Sequence, residues 1–568
     1  MVMNRLLVAG GALLLASACG SDEPASPNKA ESTPKAQNES HTENNTGAID
    51  QEGLKTHIRT LASDAFEGRA PGTPGGEKTR TYIADEFQRI GLEPIGDSYM
   101  HAVPIVESTL VPETSSFTLS INGEARDLAY REDVVYWTKR VEETVSYENA
   151  DVVFVGYGIV APEYGWNDYE GIDVEGKTVV MLVNDPGFAT QDPDIFNGNA
   201  MTYYGRWTYK YEEAARQGAK AAIVIHDTAP AAYGWGVVEG SWSGPQVDLQ
   251  RDDNGASRVA LEGWISNETA ISLFDSAGLN LEEQMAAALS EDFAAVPMSG
   301  ITTSATLNNT IKRSEDANVV GVLRGKTTPD EYVLYMGHWD HLGMNPATEG
   351  ADKIYNGAVD NATGIAAILE VAEKFATNEK RPDRSIMVVA VTAEESGLLG
   401  SAYFGEYPPV PLKNIVSGIN IDAILPSPPT KDMIVVGYGA SELEDILKTE
   451  AAKYNRTLTP DPEAEKGYFY RSDHISLAKK GVPMLYADGG SDLIDGGKEA
   501  GAKLGTDYRE NRYHAVGDEF SEDWEMDAMT DTANILYAVG ADIAYSDKWP
   551  NWYEGNEFRA LRDAQRTE

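Results

Sequence analysis

From residue 317 onward, short apolar runs alternate with stretches of helical spacing, and this alternation constrains the fold more than any other feature. The apolar runs are NVVGVLRG, YVLYMGH, SIMVVAVTA, GINID, DMIVVGYG and VPMLYAD, and the stretches between them include GIAAILEVAEKFA and SELEDILKTEAAKY. Buried strands that alternate with helices form mostly parallel sheets with helices on both faces. We therefore predict an α/β fold built on a mostly parallel mixed sheet.

The middle of the chain has a different pattern. Short strands such as ADVVFVGYGIV, KTVVMLVND and KAAIVIHD surround one helix, YKYEEAARQGA, and loops rich in Trp and Tyr follow. A chain of 568 residues is also longer than one ordinary core needs. We predict that residues 49–105 and 312–568 form one domain and that residues 106–311 form a small α/β module inserted into it.

The first residues, MVMNRLLVAGGALLLASACGS, predict an export signal. Arg5 precedes an apolar run that is too short to span a bilayer, and Cys19, the only cysteine, follows LLASA as in a bacterial lipoprotein box. We predict a lipoprotein signal peptide at 1–19, a lipid on Cys19 and a disordered polar tether at 20–48. The expected location is the periplasmic side of an outer membrane or the cell surface; the alternative is a soluble periplasmic or secreted protein.

Net charge limits the partners of the chain. The formal charge is −44, which would repel nucleic acid and anionic lipid. We expect no nucleic-acid partner, and a membrane contact only through a lipid on Cys19. The oligomeric state is not readable from the sequence.

Polar residues follow the apolar runs at the positions where ligands bind in open α/β sheets, beyond the carboxyl ends of strands. These residues are His338, Asp360, Glu394, Glu395, Asp422 and, late in the chain, His514. Taken singly, each carboxylate could cap a helix or face solvent, and each histidine could be structural.

Taken together, these six residues indicate a metal centre. Four carboxylates in one cleft would repel one another unless cations were present. Divalent ions such as zinc accept imidazole and carboxylate ligands together. One bridging carboxylate with two further ligands on each of two ions would use five residues, and the remaining carboxylate would be free to act as a general base.

The motifs that carry these residues resemble those of the co-catalytic di-zinc peptidase family, which includes bacterial leucyl-type aminopeptidases, glutamate carboxypeptidase II and glutaminyl cyclase. The motifs are GHWDHLG, GAVDNATG, TAEESGLLGS, NID, RSDH and YHAVGDE. The resemblance covers about residues 50–105 and 312–545. The middle module resembles the protease-associated (PA) domain that some members carry as an insertion.

The resemblance implies a role for each ligand. Asp360 would bridge two zinc ions, with cobalt or manganese as alternatives. The other four ligands would be His338 and Asp422 on one ion and Glu395 and His514 on the other. The peptide bond between Asp360 and Asn361 is expected to be cis, as in the family.

Two further residues would act on the substrate. Glu394 is expected to take a proton from a water between the ions and pass it to the leaving amine. An oxyanion donor is also needed, and Tyr470, in preference to Tyr468, stands where family members supply a tyrosine. The inserted module is expected to lean over the cleft, and Tyr204 or Arg206 would then contact substrate; packing in the module is the alternative for both.

Within HWDH, the three candidate ligands differ in expected role. His338 ends the strand and is predicted to bind metal. Asp340 is predicted to accept the other imidazole N–H of His338 and so orient the ring. His341 begins the next turn and is expected to have a structural hydrogen-bonding role.

These inferences predict a zinc-dependent aminopeptidase that acts on peptides. A carboxypeptidase or a glutaminyl cyclase on the same scaffold is the alternative, and a non-catalytic binding protein is a more remote one. The full ligand set favours two ions and hydrolysis. The sequence offers no arginine cluster to grip a substrate carboxylate beyond Arg206 and Arg471.

Overall fold

The computed structural model describes residues 48–348 and 350–567, all of which belong to one compact unit. The predicted signal peptide with Cys19, and residues 20–47 of the predicted tether, lie outside the described residues. None of the described helices combines the length and the apolar character that a bilayer-spanning helix needs.

The strands of the described residues number twenty and include several of only two residues. They are β1 (Met100–Leu110), β2 (Ser116–Ile121), β3 (Glu124–Asp127), β4 (Val134–Trp137), β5 (Thr144–Phe154), β6 (Val160–Ala161), β7 (Trp166–Asn167), β8 (Thr178–Leu182), β9 (Ala221–Ile225), β10 (Gln246–Leu249), β11 (Leu261–Ile265), β12 (Val296–Leu323), β13 (Thr328–His338), β14 (Gly343–Met344), β15 (Ile354–Tyr355), β16 (Arg384–Val391), β17 (Ile415–Asn420), β18 (Asp432–Val435), β19 (Thr457–Pro460) and β20 (Met484–Gly489).

The α-helices of the same residues range from short turns to helices of five turns. They are α1 (Gln51–Leu61), α2 (Pro74–Ile90), α3 (Pro186–Thr190), α4 (Trp207–Arg216), α5 (Thr228–Ala231), α6 (Trp235–Trp242), α7 (Asn267–Ser276), α8 (Leu281–Ala287), α9 (Thr363–Thr377), α10 (Leu399–Glu406), α11 (Leu443–Ala452), α12 (His474–Ala478), α13 (Gly497–Asn511), α14 (Asp527–Ala544) and α15 (Arg559–Thr567).

The C-terminal half folds around a mixed sheet in the order β19-β18-β20-β17-β13-β16-β12. Strand β13 is parallel to both β16 and β17, and β17 is parallel to β20. Strand β12 is antiparallel to β16, and β18 is antiparallel to β20. Apolar residues of α1, α2, α9 and α14 cover one face, and residues of α10 and α12 pack on the other. The predicted mostly parallel sheet with helices on both faces is confirmed.

The inserted region has its own parallel sheet, β5-β8-β9-β11, with β4 antiparallel at its edge. Strand β12 is 28 residues long and pairs with β5 of this sheet and with β16 of the other. It also pairs with β1 from Met100↔Val319 to Leu110↔Asn309. The predicted borders at 105/106 and 311/312 therefore fall inside two paired strands that connect the two sheets. The PA resemblance of the module stays a prediction.

Candidate metal centre

Three neighbouring parallel strands bring predicted site residues to one edge of the sheet. Strand β13 ends at His338, and on either side of it lie β16 and β17. Glu394 and Glu395 follow β16, and Asp422 follows β17. Because parallel strands end on the same side of a sheet, these residues converge above β13.

Asp360 and His514 come from loops. Asp360 lies in the turn before α9, and its peptide bond to Asn361 is cis, which confirms that prediction. The carboxylate of Asp518 accepts the backbone N–H groups of Val359 and Asp360, each at 3.1 Å, and so holds this turn in place. His514 lies in the loop that follows α13.

The two carboxylate oxygens of Asp360 face different partners. Oδ1 lies 3.2 Å from His338 Nε2, which is also 3.2 Å from Asp422 Oδ1. Oδ2 lies 3.3 Å from His514 Nε2, which is 3.1 Å from Glu395 Oε2. The five predicted ligands are therefore brought together, and Asp360 stands between the two pairs as a bridging ligand must.

His341 also reaches the second pair. Its Nδ1 lies 2.7 Å from Glu395 Oε1, and ligand atoms of His341, Asp360 and Glu395 come within 4.8 Å of one another, as those of His338, Asp360 and Asp422 do. His341 is buried and its Nε2 has no hydrogen-bond partner among the described residues. His341 makes a hydrogen-bonding contact, as predicted, but its partner is the predicted ligand Glu395. His341 is therefore a second candidate, beside His514, for the imidazole that binds metal with Glu395.

The charges of the centre favour bound cations. Burial by itself would lower the pKa of His338, yet the carboxylates of Asp422, Glu394 and Asp360 raise it well above the usual value. Burial likewise opposes the charge of His514, but its contacts with Asp360 and Glu395 raise its pKa to about 10. The carboxylates therefore draw positive charge onto both rings.

The donor set fits divalent metal ions. Two imidazoles and three carboxylates converge, and among the described residues no lysine or arginine forms an ion pair with any of the three carboxylates. Oxygen and nitrogen donors of this kind suit zinc, cobalt or manganese. Positive charge at the donor atoms themselves must come from protons or from ions, and ions can satisfy all five donors at once.

The structure corrects the predicted contact of Asp340. Nδ1 of His338 lies 3.2 Å from the backbone carbonyl of Asp340 and 3.9 Å from its carboxylate. Asp340 lies only two residues after His338, and its backbone carbonyl therefore reaches Nδ1 of the ring. A proton on Nδ1 leaves Nε2 unprotonated and able to bind a metal ion. The carboxylate instead accepts the backbone N–H groups of Glu394 and Glu395, at 3.1 and 3.3 Å.

Glu394 differs from its neighbour Glu395. Its side chain makes no ion pair with a described residue, and it lines the cavity over the centre. Burial raises its pKa well above the usual range, and the nearby charges of Glu395 and Asp422 act in the same direction. The Glu394 backbone is held by Asp340, and its carboxylate is not one of the five predicted metal ligands. Such a carboxylate, with a raised pKa, is suited to accept a proton.

A large cavity opens over the centre. Its volume is about 1480 Å³, and its lining includes His338, Asp360, Glu394, Asp422 and His514 together with Tyr204 and Arg206 of the inserted module. The module thus forms one wall of the cleft. The predicted oxyanion donor Tyr470 also lines it, but its hydroxyl donates to Glu557 at 3.1 Å; the hydroxyl of Tyr204 donates to Glu163.

Several supporting residues escaped the sequence analysis. The hydroxyl of Ser472 donates to Asp422 Oδ2 at 2.6 Å and accepts from Asn420 at 2.7 Å. Asp518 and Ser472 lie inside the quoted motifs YHAVGDE and RSDH, so their proximity to ligands was a usable signal. Arg69, at the end of the helical turn Asp64–Arg69, carried no such signal and donates to the Trp339 and Asp360 carbonyls.

Comparisons with known proteins agree with this site. Residues 318–539 match the profile of "Peptidase family M28". A probable zinc metalloprotease of Pyrenophora teres f. teres is 37% identical over 106 residues, 19% of this chain and 22% of that protein. Aminopeptidase NAALADL1 of Mus musculus is 34% identical over 105 residues, 18% of this chain and 12% of that protein. The chain matches only about a fifth or less of the length of these two relatives.

Two solved structures also resemble the chain. An aminopeptidase from Aneurinibacillus sp. strain AM-1 has a TM-score of 0.45 and 18% identity, covering 88% of this chain and 96% of that one. The zinc aminopeptidase BSAP from Bacillus subtilis has a TM-score of 0.40 and 18% identity, covering 90% and 99%. All six centre residues lie within 318–539, the part of the chain that matches the profile of this peptidase family.

Proposed function

We propose that the chain is a metal-dependent exopeptidase that removes N-terminal residues from peptides. One observation carries the proposal: Asp360 directs Oδ1 to His338 and Oδ2 to His514, as a carboxylate shared by two ions would. The mouse and fungal relatives, an aminopeptidase and a probable zinc metalloprotease, agree with it.

The ligands divide into two sets that share Asp360. His338 and Asp422 would hold one ion, and Glu395 and His514 would hold the other, with His341 as the alternative imidazole. Two such ions, once bound, would polarise the scissile carbonyl and lower the pKa of an attacking water. Zinc is the expected metal, with cobalt or manganese as alternatives.

Glu394 would move the proton. Its carboxylate faces the cavity without a cationic partner among the described residues, and its backbone N–H is held by Asp340 at 3.1 Å. An acid that is poorly solvated accepts a proton more readily than an exposed one. Glu394 would take the proton of the attacking water at its carboxylate and deliver it to the nitrogen of the departing amine.

A second candidate function is supported by two arginines. Arg206 and Arg471 line the cavity, and neither forms an ion pair with a described carboxylate. Nε of Arg206 is buried without a hydrogen-bond partner in the described part of the chain. In a chain with 90 acidic residues, two unmatched cations that line the same cavity as the centre favour a substrate that brings its own carboxylate. A carboxypeptidase, or an enzyme for short peptides with a free C-terminus, would meet this need.

An assay on matched substrates tests these alternatives. Purified full-length protein is given aminoacyl-p-nitroanilides, N-blocked peptides and dipeptides with free or amidated C-termini, before and after chelation and zinc addition. Cleavage of N-blocked peptides alone would exclude an aminopeptidase. Activity that survives chelation would exclude metal dependence. Cyclisation of N-terminal Gln without hydrolysis would indicate a cyclase, and binding without turnover would indicate a receptor.

Substitution of Arg206 distinguishes an aminopeptidase from an enzyme that binds the substrate's C-terminal carboxylate. If a substrate carboxylate binds Arg206, Arg206→Gln raises KM for dipeptides with a free C-terminus but not for dipeptides with an amidated C-terminus. The control is Arg216→Gln, because Arg216 also lines the cavity but is paired with Glu213 at 2.7 Å. Equal KM values for all three proteins on both substrates would remove Arg206 from substrate binding.

Substitutions can also distinguish His514 from His341, the two candidate imidazoles for the ion that Glu395 would bind. His514 contacts both Asp360 and Glu395, whereas the close contact of His341 is with Glu395 alone. His514→Ala should therefore lose one ion per chain, while His341→Ala should keep both ions more weakly. The opposite result by elemental analysis would exchange the two roles.

We further propose that the protein is exported and held at a membrane by a lipid on Cys19. The signal-like residues 1–19 support this. Labelling with a radioactive fatty acid checks it, with Cys19→Ser as the control. No label on either protein would leave the soluble exported form, and equal labelling of both would place the lipid on a residue other than Cys19.

A further inference from the structure

Arg69 is a buried arginine that touches no carboxylate. It is 1% exposed, and it forms no ion pair with a described residue. Its guanidinium donates instead to backbone carbonyls from three segments of the chain. These are Trp339 (Nε, 3.0 Å), Leu61 (Nη1, 2.9 Å), Asn356 (Nη1, 2.6 Å), Gly357 (Nη2, 2.8 Å) and Asp360 (Nη2, 3.5 Å).

Four of the five acceptors belong to the two segments that carry His338 and Asp360. Trp339 directly follows His338, and Asn356, Gly357 and Asp360 form the turn that carries the bridging carboxylate. The guanidinium therefore ties the end of β13 to the turn before α9. The bond to Leu61 fixes the clamp to the end of α1.

A tight turn delivers the side chain to this position. Glu67, Gly68 and Arg69 are all left-handed, with φ of 52°, 66° and 55°. A Cβ on Gly68 would lie 2.4 Å from the Gly343 carbonyl oxygen and 2.5 Å from that of Tyr355, so only glycine fits there. The turn is thus pressed against the loop between β13 and the Asp360 segment.

The charge of Arg69 also reaches the centre. Burial lowers its pKa to about 10, while the carboxylates of Asp360, Asp518 and Asp340 oppose that change. The side chain is therefore cationic at neutral pH. It is the positive charge that the described chain itself supplies beneath the acidic ligands, without occupying any of their donor atoms.

We propose that Arg69 is a positioning residue for the metal centre. It holds the His338 and Asp360 segments at the separation that would let both residues bind the same ion. The inference rests on the proposed metal-dependent function. Lysine in its place would keep a charge but would carry three donors on one nitrogen, whereas the guanidinium spreads five donors over three nitrogens and reaches five carbonyls. Outer partners of metal ligands typically contribute about 10- to 100-fold in metal affinity.

A matched pair of variants tests this role. Arg69→Lys and Arg562→Lys each remove a buried guanidinium that donates to backbone carbonyls; Arg562 bonds Ile415 at 2.7 Å and Val416 at 3.1 Å, at the opposite end of β17 from Asp422. Co²⁺ affinity and the visible spectrum of bound Co²⁺ are measured on the full chain, with thermal unfolding of the metal-free protein alongside.

We expect Arg69→Lys to bind Co²⁺ about 10- to 100-fold more weakly, with a changed spectrum, and Arg562→Lys to lose stability alone. Wild-type affinity and spectrum in Arg69→Lys would overturn the inference and leave the proposed function standing. A wild-type chain that binds no Co²⁺ would overturn the proposed function itself.

Refolding covers the case in which Arg69→Lys does not fold without metal. The denatured variants are refolded over a series of Zn²⁺ concentrations, because an ion that binds only the native state drives folding by mass action. A midpoint shifted to about 10- to 100-fold higher Zn²⁺ for Arg69→Lys, with an unshifted Arg562→Lys, supports the positioning role. Failure to fold at every concentration, or an equal shift in both, overturns it.

Discussion

Two buried acidic clusters of this protein solve the same electrostatic problem in different ways. In the inserted module, Asp168 and Asp185 are almost fully buried beside Lys210, whose ammonium group donates to the Tyr157 carbonyl at 2.6 Å. In the metal centre, the carboxylates of Asp360, Glu395 and Asp422 meet imidazoles and no ammonium group among the described residues.

The difference lies in which positive charge each cluster has at hand. Backbone and side-chain donors satisfy the module's carboxylates, including Thr202 to Asp185 at 2.7 Å and Trp166 to Asp168 at 2.8 Å. Burial lowers the pKa of Lys210 to about 7, yet the two aspartates pull it upward. That cluster is complete without a ligand. In the metal centre no described lysine or arginine pairs with the three carboxylates, and the centre opens into a large cavity. Its carboxylates therefore stay available to a ligand, whereas those of the module do not.

The largest expected effect is on turnover. Glu394→Gln should lower kcat by about 10²- to 10⁴-fold, because it removes the proton acceptor while leaving the ligands intact. Metal content by elemental analysis should stay at the wild-type value. Glu406→Gln is the control, since Glu406 lines the same cavity but contacts Arg251. Loss of metal from Glu394→Gln would mean that Glu394 and Glu395 have exchanged roles.

Metal content compares the two clusters directly. Asp360→Asn should lose both ions, because one carboxylate serves both sets of ligands. Asp168→Asn changes an equally buried aspartate of the module and should retain the wild-type metal content. If Asp360→Asn keeps two ions per chain, the carboxylate does not bridge.

The free energy of unfolding should depend on the charged cluster of the module, whereas metal content depends on the metal centre. Lys210→Met should lower the free energy of unfolding by about 3 kcal/mol or more, because it leaves two buried aspartates without their cation. Metal affinity should not change. Lys312→Met, at a side chain that is 74% exposed, should stay within about 0.5 kcal/mol of wild type. An unchanged melting temperature for Lys210→Met would show that the module does not need this charge.

The smallest effect concerns the contact between the two regions. Lys479 of the C-terminal half lies 2.9 Å from Glu212 of the module. Burial would raise the pKa of Glu212, but Lys479 lowers it to about 2 from a usual 4.5. A lowered pKa stabilises the folded state above about pH 4.5, and this contribution is lost as the pH falls toward 2.

Glu212→Gln should therefore destabilise the protein by about 1 kcal/mol or less at neutral pH, because the pair is partly exposed. It should also flatten the fall in melting temperature between about pH 5 and pH 2. Lys312→Met again serves as the control. An identical pH profile for Glu212→Gln and wild type would remove this pair from the contact.

The alternation of strands and helices sufficed to predict the sheet of the C-terminal half. Helix α2 illustrates local control: it ends at Ile90, and Gly91 caps it with φ of 90°, a conformation that glycine adopts without strain. Positions just after strands were readable for the same reason, because topology places the carboxyl ends of parallel strands together. The proximity of His338, Glu395 and Asp422 follows from that rule.

The sequence by itself thus determined the fold class and the meeting of His338, Glu395 and Asp422 at one edge of the sheet, because both depend on local periodicity and strand order. Asp360 and His514 come from loops, and their motifs rather than any periodicity pointed to them. Tertiary structure alone decided the contacts between distant segments. It turned the carbonyl of Asp340 rather than its carboxylate to His338, brought His341 to Glu395 and placed Arg69 under a loop 270 residues away. Such contacts depend on side-chain direction and on how loops pack, and neither leaves a periodic pattern in the chain.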